Sequence, residues 1–253
     1  MEQKAVKDIK NEIENAADNE IESVLKLYEN DPRKSVLNLI EKKRKQIKKL
    51  EDERIRIYNM QSFEREYENY ELICGIDEVG RGPLMGPVVT AAVCMPKDIF
   101  IPWVNDSKKL SEKRRDELFD IIKEKAIEYS IGMVWQDEID EINILNATKK
   151  AMKEAVNTLP KRPDVLLIDA VHLDDMDMKQ VSIIKGDANS FSIACASILA
   201  KVTRDRMMDE YDKEYPMYDF KSNKGYGTKK HIDALKEYGP CPLHRKSFIK
   251  NLI

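Results

Sequence analysis

The sequence predicts an α/β protein, a mixed sheet flanked by helices, preceded by a helical, charge-rich N-terminal extension. Three observations carry this reading. All nine glycines lie at or after Gly75, and only Pro32 of the ten prolines precedes it, so the first 70 or so residues lack the usual breakers of helices. From Tyr70 onward, short apolar runs alternate with stretches of helical period. Several of those runs end in an acid, as ligand-bearing strand ends do in sheets of this kind.

In chain order, Asn30-Asp31-Pro32 reads as a helix cap with proline at the first helical position. Val36, Ile40, Ile47, Leu50 and Ile57 then recur near heptad spacing, interrupted by Lys43 and Arg54. The run Glu41 to Lys49 (EKKRKQIKK) reads as a solvated helix face, with phosphate contact as the alternative. LICGID, ending at Asp77, and VVTAAVCM, Val88 to Met95, read as strands. Ser111 caps a helix whose Leu118, Ile121, Ile122 and Ala126 share a face. IGMVW is a strand, and a helix follows from about Ile142 to Leu159. VLLID, Val165 to Asp169, is a continuous apolar run of the kind buried on both faces, and VSIIKG is a further short strand. Ser190 opens a long apolar helix whose Ala194, Ala196, Ser197 and Ala200 permit close packing on a sheet. The expected division is a helical extension over residues 1–70 and a catalytic domain over 71–253 with a helical C-terminal tail.

Composition narrows the function. Formal net charge is −3 despite 35% charged residues, so no global cationic field exists and any polyanion must be met by local basic groups. Three histidines without paired spacing and four cysteines without a CxxC argue against zinc, and the cysteines read as buried apolar residues of a reducing compartment. No signal core or membrane-length apolar run is present, so a cytoplasmic chain with no membrane partner is expected; a monomer is a separate expectation that no sequence feature fixes.

Asp77 and Glu78 close the first strand, Asp169 closes VLLID, and Asp187 follows VSIIKG. Four carboxylates converging on one spot repel unless a cation intervenes. Hard divalent ions, Mg²⁺ or Mn²⁺, take such oxygen ligands, and two of them can clamp the attacking and leaving oxygens of a phosphodiester. Glu78 joins Asp77 only if the strand stops there, and Gly80 supplies a reason to stop. The bland readings are a turn or cap for Asp187, a plain turn for Gly80-Arg81-Gly82, and a half-buried turn residue for Tyr226. Positive charge for a polyanion is sought in Lys108, Lys109, Lys201, Arg204, Arg206, His244, Arg245 and Lys246, next to Phe248.

GIDEVGRGPLMGPVV, DSKKLSEKRR, LLIDA, IIKGDANSFSIACASILAKVTRDR and NKGYGT, in this order, resemble ribonuclease HII, the type 2 ribonuclease H, over about Leu72 to Phe248. The resemblance implies a ribonuclease H-like fold. It implies hydrolysis of RNA in RNA/DNA hybrids and at single ribonucleotides embedded in duplex DNA. Its four acidic positions fall on Asp77, Glu78, Asp169 and Asp187. Gly80, Arg81 and Gly82 would meet the minor groove, where a 2′-hydroxyl marks a ribose. Tyr226 would pack on the sugar after the ribonucleotide. Asp205 reads as a surface acid pairing with Arg204 or Arg206, with support of the acidic site as the alternative. The rival readings are a ribonuclease HIII-like enzyme, which typically has threonine at the place of Arg81 and a sheet-bearing N-terminal domain, and a catalytically silent hybrid-binding protein.

Overall fold

The structure is a computed structural model that describes residues 4–253. They divide into two compact units, one up to Arg56 and one over Ile57–Ile253.

In the first unit, helices α1 (Val6–Asn15), α2 (Ile21–Tyr28) and the early part of α3 (Lys34–Met60) enclose a small core of Ile9, Ile13, Ile21, Leu25, Val36 and Ile40. The predicted cap lies slightly early. Asp31 accepts from the Arg33 amide at 2.9 Å and binds its guanidinium, so the chain turns at Asp31 and α3 begins at Lys34.

The second unit holds a five-stranded sheet in the order β3-β2-β1-β4-β5. The strands are β1 (Ile73–Val79), β2 (Val88–Cys94), β3 (Glu128–Val134), β4 (Val165–Asp169) and β5 (Lys179–Ile183). β1, β2 and β3 form an antiparallel meander, and β4 and β5 run parallel to β1. A short helix α4 (Ser62–Glu66) precedes β1, α5 (Glu112–Lys125) precedes β3, and α6 (Gln136–Asn157) joins β3 to β4. After β5 come α7 (Gly186–Asn189), α8 (Phe191–Glu214), α9 (Phe220–Asn223), α10 (Lys229–Tyr238) and α11 (Lys246–Ile249).

Strand alternation divides the core into two layers. Ala91 and Val93 face α5 and α8, meeting Phe119, Ile122, Ala194 and Ile198. Ala92 and Cys94, together with Cys74 and Ile76 of β1, face α6 at Met152, Ala155 and Val156. A third cluster, Leu84, Met85, Met208, Tyr218, Phe220 and Leu235, packs the C-terminal helices onto the loop after β1. All four cysteines are free and buried.

Two further details depart from the sequence reading. On α5 the buried face is Leu118, Phe119 and Ile122, while Ile121 stays 39% exposed, so the predicted apolar stripe is rotated by about one residue. Ser111 does cap this helix, accepting from the Arg114 amide. The helix expected from Ile142 begins instead at Gln136 and kinks at Asn143, whose φ is 66°. The Asn143 side chain accepts from the amides of Leu145 and Asn146, so it caps the second segment, the part visible as a periodic pattern.

Candidate active site

β1 pairs with β4 as far as Ile76–Ile168, which places Asp77 and Asp169 next in register on adjacent parallel strands. The sheet is therefore what brings together two acids 92 positions apart in sequence. Asp77 shares a face with Gly75, the face on which α8 lies. Ser197 of α8 lies near enough to Asp77 for its hydroxyl to favour the charged carboxylate, and Ser197 Oγ lies 2.9 Å from Ser107 Oγ. β1 does not stop at Asp77 as expected: Glu78 and Val79 pair with Thr90 and Val89 of β2, and the strand ends at Gly80, where φ is +93°. Alternation sends Glu78 away from Asp77. Its carboxylate meets Arg81 at 3.3 Å and still lies within electrostatic reach of Asp169.

Asp169 Oδ1 accepts from the Gly186 amide at 2.7 Å, which fastens the end of β4 to the turn carrying Asp187. Asp187 is buried and meets Lys108 at 3.5 Å. The charges act on one another as a cluster. Burial, then the Glu78 charge, pushes the Asp77 carboxyl well above the usual carboxylate range, with Asp169 adding to the push and Ser197 opposing it. Burial raises Glu78 against the pull of Arg81. Burial and Asp106 raise Asp187 against Lys108. Burial works against the Lys108 ammonium, but Asp187, Asp106 and Asp77 together hold its pKa above the ordinary value.

These acids are neighbours, yet among the described residues no three His, Cys, Asp or Glu side chains are arranged as a set that could hold a metal ion. The reason is local. Glu78 is turned to Arg81, Asp169 to the Gly186 amide and Asp187 to Lys108. The donor chemistry nonetheless fits a hard cation. The donors are carboxylate oxygens, the uptake of protons is favoured by their mutual repulsion, and Glu78 Oε2 is buried without a hydrogen-bond partner.

The loop after β1 and the tyrosine turn form a second feature beside the acids. Leu84 N donates to Gly225 O at 2.8 Å, and a Cβ on Gly82 would lie 3.6 Å from the Tyr226 ring. The Tyr226 residue is 42% exposed, so a ring face is open. His231 Nδ1 lies 2.9 Å from Tyr226 O, and its Nε2 lies 3.0 Å from His244 Nε2, a buried pair below the turn.

Several basic residues expected at a polyanion surface are elsewhere. Arg204, Arg245 and His244 are buried, and burial holds His244 at about 4, hence neutral. Lys201 is paired with Asp205 at 2.6 Å, and Arg206 with Asp116. Asp205 thus pairs with neither neighbouring arginine. It is buried between Lys201 and Arg115, and Arg115 also donates to Ser107 O. For Arg204 and Asp205 the signal was present in the helix phase. Ile193, Ser197, Ala200, Arg204 and Met208 fall on one buried stripe, and Ile198, Val202 and Asp205 on the next. Nothing local in HRKSF marks Arg245 as an interior residue, and nothing marked Ser197 as a partner of Asp77.

A mixed five-stranded sheet in this order, with acids on adjacent β1 and β4 towards their C-terminal ends, defines the ribonuclease H-like class of nucleases. Ribonuclease H2 from Pyrococcus horikoshii superposes with a TM-score of 0.60 at 26% identity, over 72% of this chain and 97% of that one. The ribonuclease HII of a complex with PCNA from Archaeoglobus fulgidus gives 0.59 at 25%, over 69% and 94%. The chain belongs to the ribonuclease HII family: the Ribonuclease HII model matches residues 74–251, and that of the Ribonuclease HII N-terminal domain matches 5–68. Ribonuclease HII of Acetivibrio thermocellus is 58% identical over 217 residues, 85% of each chain. That of Clostridioides difficile is 52% identical over the full length of both. The protein is a hydrolase with ribonuclease H endonuclease activity, so the ribonuclease HIII and silent-binder readings are set aside. Among the described residues no helix is long and apolar enough to cross a membrane.

Proposed function

We propose that the protein cuts the RNA strand of RNA/DNA hybrids and cuts at ribonucleotides embedded in duplex DNA, leaving a 3′-hydroxyl and a 5′-phosphate, by two-metal-ion catalysis with Mg²⁺ or Mn²⁺. The observation that carries the proposal is the adjacency of Asp77 and Asp169, next in register on neighbouring parallel strands, beside a loop and a tyrosine suited to gripping a sugar. Asp77, Glu78, Asp169 and Asp187 would hold the ions. The bound ions would stabilise charge on the phosphodiester and acidify the attacking water.

The chain's own groups do the rest. Ser197 orients the Asp77 carboxylate, and the Gly186 amide orients Asp169. Lys108, with a side chain 79% exposed beside Asp187, is free to pass from that acid to a strand phosphate once cations arrive. Arg81 is 46% exposed and exchanges its Glu78 contact for a phosphate in the same way. The amides around Gly80 and Gly82 read the 2′-hydroxyl, and the Tyr226 ring packs on the following sugar. The attack is by water, and the 2′-hydroxyl is recognised without acting as nucleophile.

The test is digestion of an end-labelled DNA duplex carrying one ribonucleotide. Cleavage at that residue with Mg²⁺ or Mn²⁺, its loss with chelator, and 3′-hydroxyl and 5′-phosphate ends are expected. A cyclic 2′,3′-phosphate end would refute the chemistry.

The N-terminal segment, residues 1–70, is proposed to aid substrate binding without contributing catalytic groups, and the cytoplasm is the proposed location of a monomeric enzyme. A deletion that tests this should stop at Arg56. Beyond it, Ile57 and Met60 belong to the core of the second unit, Gln61 donates to Ile99 O at 2.7 Å, and Glu64 binds Ser190 and Ser192. Removing residues 1–56 is expected to raise KM on the hybrid several-fold and leave kcat at saturating substrate unchanged. Lost metal-dependent cleavage at saturation would contradict that assignment.

A further inference from the structure

The loop Gly80 to Pro87 is held from below by two buried arginines. Arg245 spends every N–H on it: Nε donates to Gly86 O, Nη1 to Arg81 O and Pro83 O, and Nη2 to Gly80 O and Gly86 O, at 2.6–3.1 Å. Its own amide donates to Leu84 O. Arg204 donates to Met85 O, to Pro87 O and, through Nη1, to Lys224 O at 2.7 Å. Of the eight carbonyls in the loop, only that of Gly82 is left out of this set. The stem of Arg204 runs so close beneath Gly80 that a Cβ there would lie 2.5 Å from Nε.

Neither guanidinium has an ion-pair partner among the described residues, and both residues are 0% exposed. Burial, with Arg204 adding repulsion, lowers Arg245 to about 9, and burial lowers Arg204 to about 10, so both remain cations at neutral pH. Two adjacent buried cations are costly, and the more distant charges of Asp140 on Arg245 and Asp205 on Arg204 act against that cost. Carbonyl dipoles offset part of that cost and turn the loop's oxygens inward. The amides of Arg81 and Gly82, which have no acceptor within the described residues, are left for a ligand. A polyanion on the outer side of the loop would add negative charge to that of Asp140 and Asp205.

We infer that Arg245 and Arg204 are positioning residues for ribose recognition. Their guanidinium forks fix the peptide orientations of the Gly80–Arg81–Gly82 loop. Through Lys224 O, Arg204 also locks that loop and the Tyr226 turn into one rigid reader. The inference rests on the proposed role of Arg81 and Tyr226 in substrate choice. It differs from simple support of the fold, because it requires the arginines to act through those two residues.

The experiment is a mutant cycle in kcat/KM on a duplex with one embedded ribonucleotide, at a temperature where circular dichroism shows every variant folded. Lysine keeps the charge but cannot replace the planar fork. Arg245→Lys is expected to lower kcat/KM roughly tenfold in the wild-type background, and by less than about threefold in an Arg81→Ala/Tyr226→Ala background, since coupled residues are not additive. Equal losses in both backgrounds would overturn the inference while leaving the proposed function standing. If the Arg81→Ala/Tyr226→Ala protein itself cut like wild type, the sugar-reading proposal would fall, and this inference with it. Should Arg245→Lys not fold, Arg204→Lys is read in the same cycle. If neither folds, the two arginines are props of the fold alone and the inference is wrong.

Discussion

Asp77→Asn is expected to lower the single-turnover cleavage rate with Mg²⁺ by about 10³-fold or more, the loss of several kcal/mol of transition-state stabilisation. Hybrid affinity should change little, because in the proposed mode binding rests mainly on phosphate contacts and Asp77 is buried. Asn has nearly the shape of Asp, so the loss would report charge and ligand chemistry instead of misfolding. The same substitution should stabilise the protein in the absence of divalent ions. Asp77 has a folded-state pKa raised above its unfolded value, first by burial and then by Glu78. Its contribution to stability is therefore fully present below the unfolded pKa, about 3.9, and is lost as pH rises through the folded one. At pH 7, above the unfolded pKa, the wild type carries that penalty, and Asn does not. Thermal unfolding in chelator at pH 7 checks the sign: a higher Tm for Asp77→Asn is expected, and a lower one would show that the carboxylate is not held at electrostatic cost. Full activity with Mg²⁺ would remove Asp77 from the site altogether.

The sequence made the acids legible because a carboxylate at the end of an apolar run is a local anomaly. Asp169 in VLLID and Asp77 in LICGID each close an apolar run, Asp169 at a true strand end and Asp77 two residues before one, and parallel pairing of those strands then makes them neighbours. Glycine and proline placement made the helical N-terminal segment legible for the same reason, as a compositional step. What stayed hidden depends on long-range packing. That Glu78 remains in the strand depends on β2, which supplies Thr90 and Val89 as partners. That Arg245 is an interior residue depends on a loop 159 to 165 positions earlier presenting its carbonyls. Charged residues are mostly solvated, so an arginine in HRKSF reads as surface unless its acceptors are known. Arg204 and Asp205 lie between these cases, since helix phase alone places them on buried stripes.

The largest stability effect is expected at Gly75, and it joins the fold to the chemistry. A Cβ there would lie 2.2 Å from the Ser192 carbonyl carbon and 2.4 Å from the Ile193 amide nitrogen. Both obstacles are backbone, so no rotamer change relieves the clash. The helix end is also pinned from the far side: Glu64 accepts from the Ser192 amide at 2.8 Å and from the hydroxyls of Ser190 and Ser192 at 2.7 Å. Gly75→Ala must therefore push α8 off β1 or bend the strand, at a cost of about 3 kcal/mol or more. For a chain of this size that corresponds to a fall in Tm of roughly 6–12 °C. Gly239→Ala is the control. Its Cβ would meet nothing within 4 Å, and only its backbone opposes it, with φ +77° and ψ −176° in a region almost reserved for glycine, so a loss of about 1–3 kcal/mol is expected. Activity should fall with stability at Gly75 and not at Gly239, because α8 carries Ser197 to Asp77 and follows directly on the turn that carries Asp187. If Gly75→Ala melted within a degree or two of wild type, α8 could not lie against β1 as closely as the acidic site requires.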